Sequence, residues 1–185
     1  LVNLWIKEMG KDKTVDLCSW FNEQPRLTAR INTVKVSIED CLKELQNLGW
    51  TVEQDKDIPE VVYIDGHQGH LEKAKPVIEG HITFMDKASM LVAHVVDPQP
   101  GDRILDCCAA PGGKSMHMAS LMNNTGAIMS CDIYDHKLDL MNQNAERLGV
   151  SIVSTKLQDG RYLPDNWKEQ FDRVLVDAPC SGLGI

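Results

Sequence analysis

The feature that most constrains the fold is a regular alternation in the second half of the chain. Apolar, strand-like runs take turns with helical ones: KASMLVAHVV, RILDCC, a helix opening at Gly113, AIMSCD, HKLDLMNQNAERLG, SIVSTKL and DRVLVDAP. Strands separated by helices pair in parallel, because a right-handed crossover through a helix leads back to the same sheet. The predicted fold class is therefore α/β, with a doubly wound, Rossmann-like sheet over residues 79–185, cut short after its fourth strand. In such a sheet a ligand sits beyond the carboxyl ends of the strands, where the strand order reverses.

Residues 1–78 read differently. SIEDCLKELQNLG predicts an amphipathic helix, capped by Ser37 with Asp40 three residues on, lined by Ile38, Leu42, Leu45 and Leu48, and ended by Gly49. LTARINTVKV before it reads as extended, and WTVEQ and VVYIDG after it as strands. The expectation is a small α+β unit, with its boundary in the polar stretch 65–80.

Charge bounds the partners. With a formal net charge of −8, the surface as a whole does not draw in nucleic acid, so a polyanion must meet a local patch. QPRLTARINTVK offers one: Arg26, Arg30 and Lys35, with no acidic residue among them, form a candidate phosphate-contacting stretch. The alternative is a solvated basic edge. The six cysteines are scattered and include no CxxC pair, which points to a reducing, cytoplasmic protein without a structural zinc site. The HQGH stretch, His67 to His70, lacks a third metal ligand nearby and reads as a turn. No apolar run reaches membrane length, and a first residue of Leu1 suggests a piece of a longer chain.

The stretch LDCCAAPGGKS, residues 105–115, is trimmed of side chains where a strand gives way to a helix. Such a loop lets backbone amides approach a ligand, and the helix N-terminus favours an anionic group. One ligand is a nucleoside triphosphate, since GGKS ends like a Walker A loop and RVLVDAP resembles a Walker B strand. Against this, the Walker pattern needs a glycine where Cys108 stands. The other is S-adenosylmethionine, its amino-acid end on Cys108, Ala109, Ala110, Pro111, Gly112, Gly113 and Lys114. Asp132, ending AIMSCD, is placed to accept from the ribose hydroxyls. Asp159 could contact the adenine side. Asp132 could instead cap the following helix, for which Asp135 is better placed, and Asp159 could be a turn former before Gly160. Cys107 and Cys131 read as small buried hydrophobes.

DAPCSGLG, residues 177–184, adds a chemical hint. Methylating carbon 5 of a pyrimidine requires a thiolate to add at carbon 6, and the carbon 5 proton must later leave. Asp177 and Cys180 lie at the end of the strand RVLVD, which stands beside the strand that feeds the glycine loop if the sheet has the usual methyltransferase order. Asp177 could hold the N3 edge of the base and Cys180 could work on its ring; a buried cysteine in a tight proline turn is the alternative.

Together, LDCCAAPGGKS, the CD at 131–132, QDG at 158–160 and DAPCSGLG resemble the Sun family of RNA cytosine-5 methyltransferases, most closely its bacterial small-subunit rRNA (RsmB) type. The resemblance extends back through GHITFMDKASMLVAHVVDPQPGD to FNEQPRLTARINTVKVS. It implies that Cys108 to Lys114, Asp132, Asp159 and Asp177 contact S-adenosylmethionine, with Asp177 also near the base, and that RNA is the partner. It implies that Cys180 helps resolve a covalent adduct, and that the nucleophile is a second cysteine in a motif beyond Ile185. The 185-residue chain is accordingly expected to be inactive alone. A P-loop-like nucleotide hydrolase and a non-catalytic RNA-binding module are the competing readings.

Overall fold

The computed structural model describes residues 1–67 and 69–179. Two helices lead the chain, α1 (Val2–Met9) and α2 (Lys11–Phe21). There follow β1 (Leu27–Ile31), α3 (Ile38–Asn47), β2 (Thr51–Gln54), β3 (Val61–Gly66), α4 (Lys75–Ile78) and β4 (Ile82–Phe84). These four strands form one antiparallel sheet in the order β2-β3-β1-β4. Because Ile82–Phe84 pairs with Ala29–Ile31, the first unit extends past the expected boundary at residue 78.

Helix α3 forms as its sequence predicts: Ser37 Oγ accepts from the Asp40 amide at 3.1 Å, satisfying an amide that the helix start would leave unpaired. Its buried face is Cys41 and Leu45, flanked by Ile38 and Leu42, packed on Ala29, Ile31 and Val62 of the sheet. Leu48 does not join them; it lies at the helix end, 40% exposed. The extended run also stops at Ile31, where the chain turns.

The second unit comprises α5 (Lys87–Val96), β5 (Arg103–Asp106), α6 (Gly113–Leu121), β6 (Ala127–Asp132), α7 (Asp135–Leu148), β7 (Val153–Leu157) and β8 (Arg173–Leu175). Its sheet is parallel, in the order β7-β6-β5-β8. From β5 the chain steps outward through β6 to β7 and then returns to place β8 on β5's other side. The reversal falls between β5 and β8, so a crevice opens at their carboxyl ends. Ile104, Ile128, Met116, Met118, Ala119 and Leu148 form the core between sheet and helices.

The seam between the units is polar and closely fitted. Buried Asn32 donates from Nδ2 to the carbonyls of Gly80 and Leu148, both at 2.8 Å. Lys35 Nζ donates to the carbonyls of Glu79 at 2.8 Å and Arg147 at 2.6 Å. Gly80 has φ +74°, and a Cβ there would stand 2.2 Å from the Arg147 carbonyl oxygen, so glycine is required. Deeper in the seam, Glu60 Oε1 accepts from Nε2 of His94 at 2.6 Å and of His117 at 2.8 Å, with the fully buried Arg30 nearby.

Candidate functional site

The apolar strand β5 ends on Asp106, and the chain then runs through CCAAPGG into α6. Three loop amides are bonded internally: Cys107 to the Leu175 carbonyl at 2.9 Å, Ala109 to Cys131 at 2.8 Å and Gly112 to Ala109 at 2.7 Å. Strands on both sides thus hold the loop. Gly112 has φ +97°, and a Cβ there would lie 3.2 Å from Met141 Cγ, so the turn into α6 needs glycine for conformation and for space. The first amides of α6 have no partner within the helix and open on the crevice end of the sheet.

Two hollows flank this loop and share Cys108. The larger, about 410 Å³, is lined by Cys107, Cys108, Asp132, Tyr134, Asp159 and Gly160, and by Ile133, Lys137, Arg161 and the segment after β8. The smaller, about 210 Å³, lies between Ala109–Lys114, the Thr83–Ser89 segment and Asp177. Asp132, Asp159, Asp177 and the loop therefore converge from separate carboxyl ends of the sheet.

Asp132 Oδ1 accepts from the Tyr134 amide at 3.0 Å, which orients the carboxylate, while Oδ2 lies 3.8 Å from Lys137 Nζ. The expected cap is different: Tyr134 occupies the N-cap of α7 without a side-chain bond, and Asp135 sits in the first turn. Asp159 is gripped by Arg161, whose backbone amide donates at 2.9 Å and whose guanidinium donates at 2.6 Å. Those bonds hold its carboxyl down at about 2. Asp159 is thus both a turn residue and part of the cavity wall. Lys114 Nζ pairs with Asp177 Oδ2 at 2.6 Å across the smaller hollow.

Cys107 and Cys131 are buried, and burial pushes the Cys131 thiol up to about 12. Cys108 is partly exposed, its thiol raised by burial and by surrounding carboxylates such as Asp106 and Asp132. Cys180 lies outside the described residues.

Two residues that sequence reasoning passed over matter here. Asp106 is buried beneath the loop, with Ser115 Oγ donating to its Oδ2 at 2.7 Å and Ser130 Oγ donating in turn to Ser115 at 2.8 Å. Burial raises its carboxyl to about 6. Its signal was an acid closing an apolar strand just ahead of a glycine loop. Gly160 is the other: a Cβ there would stand 3.2 Å from Cys107 Cβ, so the DG pair lets the loop after β7 lie against the start of the glycine loop.

The expected phosphate patch is corrected. Arg30 is fully buried and cannot reach a phosphate. Arg26 is held by Asp65 at 2.7 Å and Glu53 at 2.8 Å, and stacks on Tyr63. Lys35 closes the seam through two carbonyls. The stretch supplies partners for acids and carbonyls within the protein, with Arg26 and Lys35 doing so from exposed positions.

Among the described residues, two clusters bring three ligand-type groups together, Glu60–His94–His117 and Glu44–Glu79–His81; the HQGH turn is in neither. In the first, Glu60 Oε1 bonds both imidazoles, with the buried cation of Arg30 close by. Among the described residues no helix is long and apolar enough to cross a membrane.

The wall of the larger cavity holds two carboxylates, Asp132 and Asp159, and two cations, Lys137 and Arg161, so its formal charges balance and its carboxylate oxygens offer acceptors for hydroxyls. The lysine of GGKS is paired with Asp177 rather than turned back over the loop, which departs from a phosphate cradle.

Comparison with known proteins gives the family and the fold. Residues 93–185 match the family described as 16S rRNA methyltransferase RsmB/F, and residues 1–69 match its ferredoxin-like domain. The chain is 36% identical over 186 residues to a probable ribosomal RNA small subunit methyltransferase B of Bacillus subtilis, covering all of this chain and 41% of that protein. It is 36% identical over 166 residues to a 26S rRNA (cytosine-C(5))-methyltransferase of Caenorhabditis elegans, covering 89% of this chain and 25% of that one. A solved methyltransferase homologue from Pyrococcus horikoshii superposes with a TM-score of 0.86 at 27% identity, over 96% of this chain and 58% of that one. The chain thus spans well under half the length of these curated relatives.

Proposed function

The chain belongs to the RsmB/F methyltransferase family, and from that premise we propose that it is the cofactor-holding part of an enzyme that methylates carbon 5 of cytosine in RNA, with S-adenosylmethionine as donor. The observation that carries this reading is that Cys108 lines two hollows at once, one walled by carboxylates and one beside the Lys114–Asp177 pair. A donor in the larger and a base in the smaller would meet over the loop.

The cofactor supplies an electrophilic methyl group. The chain's own residues do the rest of the binding. The N-terminus of α6, whose Gly113 and Lys114 amides have no partner within the helix, favours the carboxylate of the amino-acid end. The free side of Asp132 accepts ribose hydroxyls, and Ile133 with Asp159 borders the adenine. Asp177, turned into the smaller hollow and bonded to Lys114, holds the N3 edge of the cytosine. A base must leave any helix to enter so confined a space, so an unpaired or flipped cytosine is the substrate. Cys180, three residues beyond Asp177, is assigned to adduct resolution. Small-subunit rRNA is the target class that fits the family's description.

Calorimetric titration of the chain with S-adenosylmethionine and, separately, with Mg-ATP tests the reading. Saturable binding of the first alone is expected; binding of ATP instead would favour the nucleotide-hydrolase reading and overturn this one.

A further inference from the structure

Arg30 is buried, and Arg26 and Lys35 already hold protein partners. His67 and His70, which follow β3, border an open groove of about 490 Å³ that is also lined by Leu71, Glu72, Lys73 and Phe84. Phe84 also borders the smaller hollow beside Lys114 and Asp177, so one phenyl ring stands between the groove and the place assigned to the target base. Its exposed side chains comprise an ammonium, two imidazoles and one carboxylate, beside a phenyl ring. A lysine for a phosphate and flat rings for bases are what an unpaired strand uses.

We propose that the single-stranded RNA adjoining the target cytosine lies in this groove, with a phosphate on Lys73 and a base against His70 or Phe84. The proposal rests on the RNA methyltransferase reading above. Glu72 opposes the strand, which makes the two neighbouring charges separable by sign.

The test is fluorescence anisotropy of a short, labelled, single-stranded oligoribonucleotide containing one cytosine, titrated with the S-adenosylmethionine-loaded chain over a range of salt. Lys73→Ala should weaken binding and flatten the log–log salt slope by about 0.7, the value for one phosphate contact on a single strand. Glu72→Gln should tighten binding, which unfolding or loosening of the turn would not do. Lys43→Ala, on the outer face of α3, should change neither. A 4-thiouridine beside the cytosine should crosslink to the segment carrying His67 and His70. If the chain binds cofactor and RNA but Lys73→Ala and Glu72→Gln leave the affinity and the slope unchanged, the groove is overturned and the methyltransferase reading stands. Crosslinks confined to α1 and α2 overturn it equally. If the chain takes up neither cofactor nor RNA, both fall.

Discussion

Replacing Glu60 by alanine should bring the chain close to unfolding, although Glu60 touches neither hollow. Its Oε1 accepts from two imidazoles at 2.6 and 2.8 Å, and it is the carboxylate that offsets Arg30, whose three guanidinium nitrogens are buried without a hydrogen-bond partner among the described residues. At neutral pH Glu60 is ionised, held down at about 2 by its hydrogen bonds to His117 and His94 against the cost of its burial. Burial keeps His117 neutral, at about 4, so it donates from Nε2. Glu60→Ala leaves a buried cation uncompensated, at a cost of about 3–5 kcal/mol. The orphaned His117 N–H adds about 1 kcal/mol. Against a typical domain stability of about 5–15 kcal/mol, that is a large share. Urea unfolding followed by far-UV circular dichroism measures it at constant m-value. Arg30→Met in the same background should restore about 2 kcal/mol or more, because the uncompensated charge is then gone. A loss below about 1.5 kcal/mol for Glu60→Ala, or no rescue by Arg30→Met, would refute the charge argument.

Three further outcomes follow from the site. Asp132→Asn keeps an oxygen for the Tyr134 amide but loses the charge facing the ligand; S-adenosylmethionine binding by calorimetry should weaken about 10- to 100-fold, as expected for a charged hydrogen bond of about 1.5–3 kcal/mol, and an unchanged Kd would remove Asp132 from the site. Gly112→Ala should cost about 1–2 kcal/mol of thermal stability because its φ is +97° and its Cβ meets Met141, whereas Gly113→Ala, with only Met85 near at 3.7 Å, should cost far less. Asp106 has a folded pKa raised from 3.8 to about 6, so its contribution is present in full below 3.8 and is lost as pH rises through 6. Asp106→Asn should therefore gain stability relative to the parent across that window, by up to about 3 kcal/mol at roughly 1.4 kcal/mol per pH unit, as read from urea midpoints at pH 4 and 7; a flat difference would show that burial is not what shifts the group.

Much of the architecture was legible from local pattern. Strand and helix alternation predicted the parallel sheet and Ser37 the start of α3, whereas β8 beside β5 was expected only from the usual methyltransferase strand order. The first two features are set by neighbours within a few residues, so periodicity and capping reveal them. The glycine loop was legible for the same reason: a run of small residues between a strand and a helix has few conformations open to it.

The QPRLTARINTVK stretch shows where that reasoning stops. Sequence states that Arg26, Arg30 and Lys35 are cations, but whether a cation faces solvent or a partner is decided by residues far along the chain, here Asp65, Glu60 and the carbonyl of Arg147. The unit boundary moved for a like reason, since a three-residue strand carries almost no periodicity and β4 is recognised only by its pairing with β1. Asp106 and Gly160 were hidden because their importance comes from burial and close approach. Composition and spacing by themselves determined which groups stand at the carboxyl ends of the strands. Only the tertiary structure decided which of those groups face the cavity, because orientation and charge compensation depend on contacts between segments that are distant in sequence.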